Sequence, residues 1–165
     1  MIRGKVHKFG KNIDTEVIYP ARYMVYFQHD EVAKHVMEDA DPEFAKKITK
    51  GDIIVAESNF GCGSAREQAA TALKYAGIGA VLSDHLARTF YRNAINNCLP
   101  AFSVEGISSF VSDGDTLEID IDKGIVINTD TGKKLNFTAP GNLIRTILEH
   151  GAVAHYKKEY IETGK

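Results

Sequence analysis

A run with no polar member, Ile53-Ile54-Val55-Ala56, limits the fold more than any other stretch of the chain. A strand that is apolar at consecutive positions must be covered on both faces, the setting of a parallel sheet between helices. The next fifty residues keep to that pattern. Ala65, Ala69, Ala72, Leu73 and Ala76 recur at helical spacing, giving a small-residue face suited to lie close on a sheet. Ala80-Val81-Leu82 reads as the next strand, Leu86, Phe90 and Ala94 mark the next helix, and Leu99–Val104 supplies a third strand. The order βαβαβ predicts parallel strands joined by right-handed crossovers.

The flanking regions read differently. Arg3–Phe9 is a first strand ending in the turn Gly10-Lys11-Asn12, and Thr15–Ile18 is short and β-prone. Pro20 opens a brief turn or helix through Tyr23, and Asp30–Met37 is helical in pattern. Asp41-Pro42-Glu43 looks like an N-cap, a proline at the first helical position and an acidic first turn. Beyond the βαβαβ core, Leu117, Ile119 and Ile121 alternate with polar residues, and Lys123-Gly124 turns the chain into Ile125–Ile127. Asp130-Thr131-Gly132 turns it again before Leu135–Phe137, so an antiparallel meander is expected. Pro140–Glu149 and Val153–Ile161 read as closing helices. No repeat, low-complexity tract or linker separates these parts. The expectation is one α/β domain over residues 1–165: a mixed sheet with a parallel βαβαβ core, flanking helices and an antiparallel meander.

Composition excludes several classes. Lys plus Arg number 20 and Asp plus Glu 22, for a net charge of −2, so there is no basic excess for a nucleic-acid or membrane partner. The first residues hold no apolar signal core and no apolar run approaches membrane-spanning length, so a cytoplasmic protein is expected. The two cysteines, Cys62 and Cys98, form no CxxC pair, and the six histidines form no HxxxH arrangement. Neither a disulfide framework nor a metal or cluster held by this chain is expected.

The chemistry concentrates in Ser58-Asn59-Phe60-Gly61-Cys62-Gly63-Ser64-Ala65-Arg66-Glu67-Gln68, between a buried strand and a helix. Gly61 and Gly63 allow a sharp turn and a close approach to a ligand. The free N–H groups near Ser64 to Glu67 favour an anion, and Arg66 adds a planar fork for a carboxylate or phosphate. The loop is not a phosphate loop, which needs a lysine after the glycines, nor a GxGxxG fingerprint, nor a GxSxG nucleophile elbow. Cys62 is a candidate thiol nucleophile, without a histidine assigned to it. From the residues alone the loop is either a glycine-rich helix cap, with Ser64 as N-cap and Arg66 on the surface, or a small-anion site.

At these residues the chain resembles the swivel domain of the aconitase superfamily. The shared residues are Asn59-Phe60-Gly61-Cys62-Gly63-Ser64, Arg66 and Glu67, joined by the stretch Gly10–Tyr23 and by Ala87–Asn97. Ala65 stands where the family commonly has a second serine, Gln68 where it has histidine, Glu16 where it has aspartate, and Cys98 where it has glycine. The resemblance implies a hydro-lyase split between two chains, as in isopropylmalate isomerases and archaeal-type homoaconitases. A large subunit would carry a 4Fe–4S cluster that binds the substrate hydroxyl, and the small subunit would close over it.

By the same resemblance Ser64 is the general base that takes a proton from carbon, and Arg66, with Gly63 and Ala65, binds a substrate carboxylate. Arg22, Asp14, Thr15 and Glu16 lie near the site. The apolar segment Tyr23–Phe27 packs in the core or against the large subunit, or its Val25 faces the substrate's variable group. The first expectation is interconversion of 2- and 3-isopropylmalate in leucine biosynthesis. Homoaconitase is the nearest rival and a dehydratase of another branched malate the third. A non-catalytic anion-binding module would use the same loop. The partners implied are the large subunit and a small di- or tricarboxylic acid, and the isolated chain is free to self-associate.

Overall fold

The computed structural model describes residues 1–152, and the expected helix at Val153–Ile161 lies outside them. Its elements run β1 (Ile2–Phe9), α1 (Thr15–Ile18), a 3₁₀ turn (Ala21–Tyr23), α2 (His29–Ala33), α3 (Phe44–Lys47), β2 (Ile53–Ala56), α4 (Glu67–Tyr75), β3 (Ala80–Ser83), α5 (Arg88–Asn96), β4 (Ala101–Ser103), α6 (Ile107–Phe110), β5 (Thr116–Asp120), β6 (Ile125–Asn128), β7 (Lys134–Asn136) and α7 (Asn142–His150). They build one seven-stranded sheet in the order β4-β3-β2-β1-β5-β6-β7. Strands β1 to β4 are parallel, and β5, β6 and β7 continue from β1 as an antiparallel meander. The mixed α/β sheet expected from the sequence is the one observed, and β1 adds a fourth strand to the parallel core.

Every residue of β2 and β3 is buried. The reason is visible in the two apolar layers, which take alternate residues of the same strands. Ile54, Ala56 and Val81 pack with Ile18, Val36, Phe44, Phe60 and Phe90 under the helices α1 to α5. Ile53, Val55, Ala80 and Leu82 face the other way, against Ile107, Leu117 and Val126. A strand apolar at every position is thus covered on both sides.

Four local expectations are corrected, the first at Asp41-Pro42-Glu43, where helix α3 begins only at Phe44 after Glu43 as N-cap with no side-chain cap bond. Thr15–Ile18 is a helical turn, not a strand: the Val17 N–H donates to Asp14 Oδ1 at 2.9 Å, and the turn buries Thr15 and Ile18. An N-cap and two buried side chains outweigh the weak helix propensity of β-branched residues. The helical pattern of Asp30–Met37 ends at Ala33. The chain then tightens to i→i+3 bonds, and Met37 takes a left-handed φ of 57° so that its N–H reaches Ile18 O at 2.8 Å. Helix α4 begins at Glu67, not at Ser64 or Ala65. Its N-cap is Arg66, with extended backbone and no side-chain cap bond, and Ala65 is exposed rather than part of the buried face of Ala69, Ala70, Ala72 and Leu73. Cys98, where the resemblance has a glycine, adopts a left-handed φ of 55°, a conformation glycine takes freely.

Candidate functional site

Two crossing segments place the loop at the C-terminal end of β2. The chain after β1 runs beside it: Gly61 N–H donates to Ile13 O at 2.7 Å and Thr15 N–H to Cys62 O at 2.9 Å. The chain after β3 closes the other side, with Asn59 N–H on His85 O at 2.8 Å. This is the end of an open parallel sheet where ligands bind. Asn12 and Asn59 both sit at positive φ, 57° and 71°, and the Asn59 amide donates to Asn12 Oδ1 at 2.9 Å. Asparagine is among the residues that tolerate this conformation, which ties the turn after β1 to the loop.

Both loop glycines turn the chain at positive φ as expected, but only Gly63 is open to solvent. Gly61 has a φ of +77°, and a β-carbon there would fall 2.2 Å from Phe90 Cβ. Its close approach is to the core side of α5, not to a ligand. Gly63, at φ +85°, leaves ordinary van der Waals room beside Asp14 Cβ, at 3.5 Å, and is exposed. Together they turn the chain out of the core and present the next residues to solvent.

Ser64 is held by its backbone. Its carbonyl accepts from the Arg66 N–H at 2.8 Å and from the buried Thr15 hydroxyl at 2.9 Å. The side chain is exposed, and among the described residues its hydroxyl has no hydrogen-bond partner. A fixed backbone with an uncommitted hydroxyl is what a reactive serine needs, and it is not a helix cap. Cys62 behaves oppositely: burial first, then the negative Asp14, push its thiol up. It stays protonated near neutral pH, which counts against a thiolate nucleophile.

Arg66 does not lie loose on the surface. One guanidinium nitrogen, Nη1, donates to Glu16 Oε2, while Glu16 Oε1 accepts the Ala21 N–H at 2.7 Å. That backbone bond first, and then Arg66, hold the Glu16 carboxyl below the usual carboxylate range. Nε and Nη2 of Arg66 have no partner among the described residues, so two donors of the fork remain for an incoming carboxylate.

The structure therefore brings Ser64, Gly63, Ala65, Arg66, Thr15 and Glu16 together. Asp14 is present, with one carboxylate oxygen, Oδ1, taken by the cap of α1. Arg22 is one step further along the same network. Its guanidinium is taken by Asp39, at 2.5 and 3.1 Å, and by Glu38 at 3.3 Å, and these partners raise its pKa further. Val25 is 71 % exposed and Phe27 84 %, so the tip of this segment is not part of the chain's own core. Glu38, Asp39, His35 and the Asn12–Asn59 pair are members of this region that sequence reasoning missed. The acidic run Glu38-Asp39 stands out in the sequence, but nothing local pairs it with Arg22, 16 positions before Glu38. Among the described residues no group of three or more His, Cys, Asp or Glu side chains is placed to hold a metal ion, and no helix is long and apolar enough to cross a membrane.

Comparison with known proteins identifies the family of the fold that carries this loop. Residues 1–104 match the aconitase C-terminal domain family. The 3-isopropylmalate dehydratase small subunit of Nautilia profundicola is 48 % identical over 165 residues, covering 100 % of this chain and 99 % of that one. The methanogen homoaconitase small subunit of Methanothermobacter thermautotrophicus is 46 % identical over 164 residues, covering 99 % and 95 %. A crystal structure of 3-isopropylmalate dehydratase from Methanocaldococcus jannaschii superposes with a TM-score of 0.92 at 43 % identity, covering 99 % of this chain and 97 % of that one. The family match spans the whole parallel half of the sheet, and the relatives are similar over the full chain: the chain belongs to the aconitase C-terminal domain family.

Proposed function

We propose that this chain is the small subunit of a two-subunit hydro-lyase that interconverts 2-isopropylmalate and 3-isopropylmalate, a step of leucine biosynthesis. The observation that carries the reading is the pairing at the loop tip. Ser64 offers an exposed, unpartnered hydroxyl on a pinned backbone, next to an Arg66 fork held at one nitrogen and free at two among the described residues. Full-length similarity to small subunits of this enzyme class supports it.

In this reading the substrate loses a hydroxyl from one carbon and a proton from its neighbour, giving the alkene, and water re-adds with the two positions exchanged. Ser64 Oγ, as the alkoxide, accepts the proton from carbon and returns it on rehydration. Serine is far too weak an acid to ionise unaided, so the site has to stabilise the anion. The nearby Arg66 cation and the N-terminal end of α4 both act in that direction. Arg66 Nε and Nη2 bind the substrate carboxylate and fix the reacting carbon against Ser64. Departure of the hydroxyl falls to the large subunit, on which the family resemblance places a 4Fe–4S cluster.

The substrate assignment rests on Val25. Isopropylmalate presents a branched alkyl group where homoaconitate presents a carboxylate on a methylene arm. An unpaired carboxylate held against valine is costly, whereas arginine would pair with it. In the reconstituted complex kcat/KM is therefore higher for isopropylmalate than for homoaconitate. Val25→Arg shifts the ratio toward the tricarboxylic acid by roughly tenfold or more, about 1.4 kcal/mol of discrimination. A wild type that prefers homoaconitate overturns the substrate assignment, and an unchanged ratio in Val25→Arg shows that this segment is not the selector.

A further inference from the structure

Glu38 lies outside the loop, yet Arg22 and Tyr23, at the base of the apolar segment, and His35 converge on it. Its Oε1 accepts the Tyr23 hydroxyl at 2.6 Å and Arg22 Nη2 at 3.3 Å, and its Oε2 lies 2.8 Å from His35 Nδ1. The His35 ring stacks on Tyr23, with centroids 3.7 Å apart and planes 11° from parallel, and on Tyr26 at 5.6 Å and 11°. Arg22 covers Tyr23, its guanidinium carbon 4.7 Å from the ring centre. One carboxylate thus ties together three side chains and, through His35, orients a fourth.

The cluster grips the base of the segment and leaves its tip free. Arg22 and Tyr23 are anchored, while Val25 and Phe27 project into solvent. The base is joined to the loop by a short path: Ala21 N–H to Glu16, and Glu16 to Arg66. Glu38 is itself on firm ground, next to the buried Val36 and Met37 and the Met37–Ile18 backbone bond. Tyr23, and then His35, hold its carboxyl below the usual carboxylate range, so it is ionised at neutral pH.

We propose that Glu38 is a positioning residue that sets the pose of Val25–Phe27 at the site and thereby the discrimination between an alkyl and a carboxylate arm on the substrate. This rests on the reaction assigned above. A purely structural role is the competing account, and the surroundings argue against it. The Glu38 side chain is 28 % exposed and that of His35 22 %, and partly exposed ion pairs add little to global stability.

The test compares wild type, Glu38→Gln, Tyr23→Phe, their double variant and Glu43→Gln, a control that removes a carboxylate from the exposed Lys46 pair. In the reconstituted complex Glu38→Gln raises KM for isopropylmalate roughly tenfold, the equivalent of about 1.4 kcal/mol, and changes kcat less than about threefold. The preference over homoaconitate narrows, and the double variant is no worse than the more affected single one, as for residues in one network. Glu43→Gln matches wild type. A second readout needs no turnover: in the full-length chain alone, the His35 ring-proton resonances are displaced upfield by Tyr23, and Glu38→Gln returns them toward free histidine. Equal losses for both substrates, additive single effects, or an unmoved His35 signal in Glu38→Gln each overturn the proposal. A wild-type complex silent on isopropylmalate instead removes the assigned reaction, and the His35 signal still decides whether Glu38 orients the segment.

Discussion

Replacing Ser64 by alanine in the assembled enzyme lowers kcat by roughly two to four orders of magnitude, the usual contribution of a general base. The variant folds as wild type does, because the groups that hold residue 64 act on its carbonyl. Thr15 Oγ and the Arg66 N–H both donate there, and alanine keeps that acceptor. Loss of activity without loss of stability is the signature that separates a reacting hydroxyl from a structural one. Arg66→Lys acts differently, raising KM more than it lowers kcat, since lysine cannot present the two parallel donors of the fork. Cys62→Ser keeps most of the activity, as expected for a thiol that burial holds protonated. The three variants are read together by steady-state kinetics and thermal melting. A mild Ser64→Ala alongside an inactive Cys62→Ser would return the thiol to the centre of the mechanism.

Gly61→Ala is expected to destabilise the fold more than Gly106→Ala or Gly10→Ala. Two costs add at this position. The left-handed backbone, φ +77°, costs a residue with a β-carbon about 1–2 kcal/mol. The new methyl group would also stand 2.2 Å from Phe90 Cβ, and forcing atoms into a packed core typically costs about 1–3 kcal/mol more. For a chain of this size the sum corresponds to a melting temperature lower by on the order of 10 °C. Two other glycines separate the costs. Gly106 has a φ of +82° with open space around it, so Gly106→Ala reports the backbone strain alone. Gly10 has neither positive φ nor a neighbour within 4 Å of the added carbon, so Gly10→Ala is close to neutral. Melting curves of the three variants should rank Gly61 far below Gly106 and Gly106 below Gly10. Equal effects at Gly61 and Gly106 would show that Phe90 moves aside freely.

How far the fold can be read from the chain depends on the range of the interaction that decides each part. Ile53–Ala56 and Ala80–Leu82 are legible because burial on both faces leaves no polar position, and the alternation of Leu117 and Ile119 marks a strand with one covered face. Where a side-chain or backbone bond from elsewhere takes over, the local pattern misleads. Thr15–Ile18 is helical because Asp14 caps it and its buried face fits the core. The Ser64-Ala65-Arg66-Glu67 stretch has the look of a helix start, yet Thr15, 49 residues earlier, draws the Ser64 carbonyl away and the helix waits until Glu67.

The site divides in the same way. Ser64 and Arg66 stand out because two glycines, a serine and an arginine between strand and helix have few uses. The partners that give them geometry do not stand out. Glu16 is 50 positions from Arg66, and Glu38 is 16 from Arg22, and no periodicity records either pairing. The exposure of Val25 and Phe27 reverses the ordinary expectation for an apolar run, and it is intelligible only once Tyr23 and His35 are seen to anchor the base of the segment.

In the proposed reaction catalysis needs both this chain and a cluster-bearing partner. The direct measurement is an anaerobic assay of isopropylmalate dehydration with this chain alone, with a large subunit of an isopropylmalate dehydratase alone, and with the two combined. Formation of the unsaturated acid is followed by its ultraviolet absorbance. Neither chain alone should give turnover, and mixing should give activity that saturates as the small subunit reaches equimolar amount. Robust turnover by this chain without a second polypeptide, or a combined sample no more active than the large subunit alone, would contradict the two-subunit assignment.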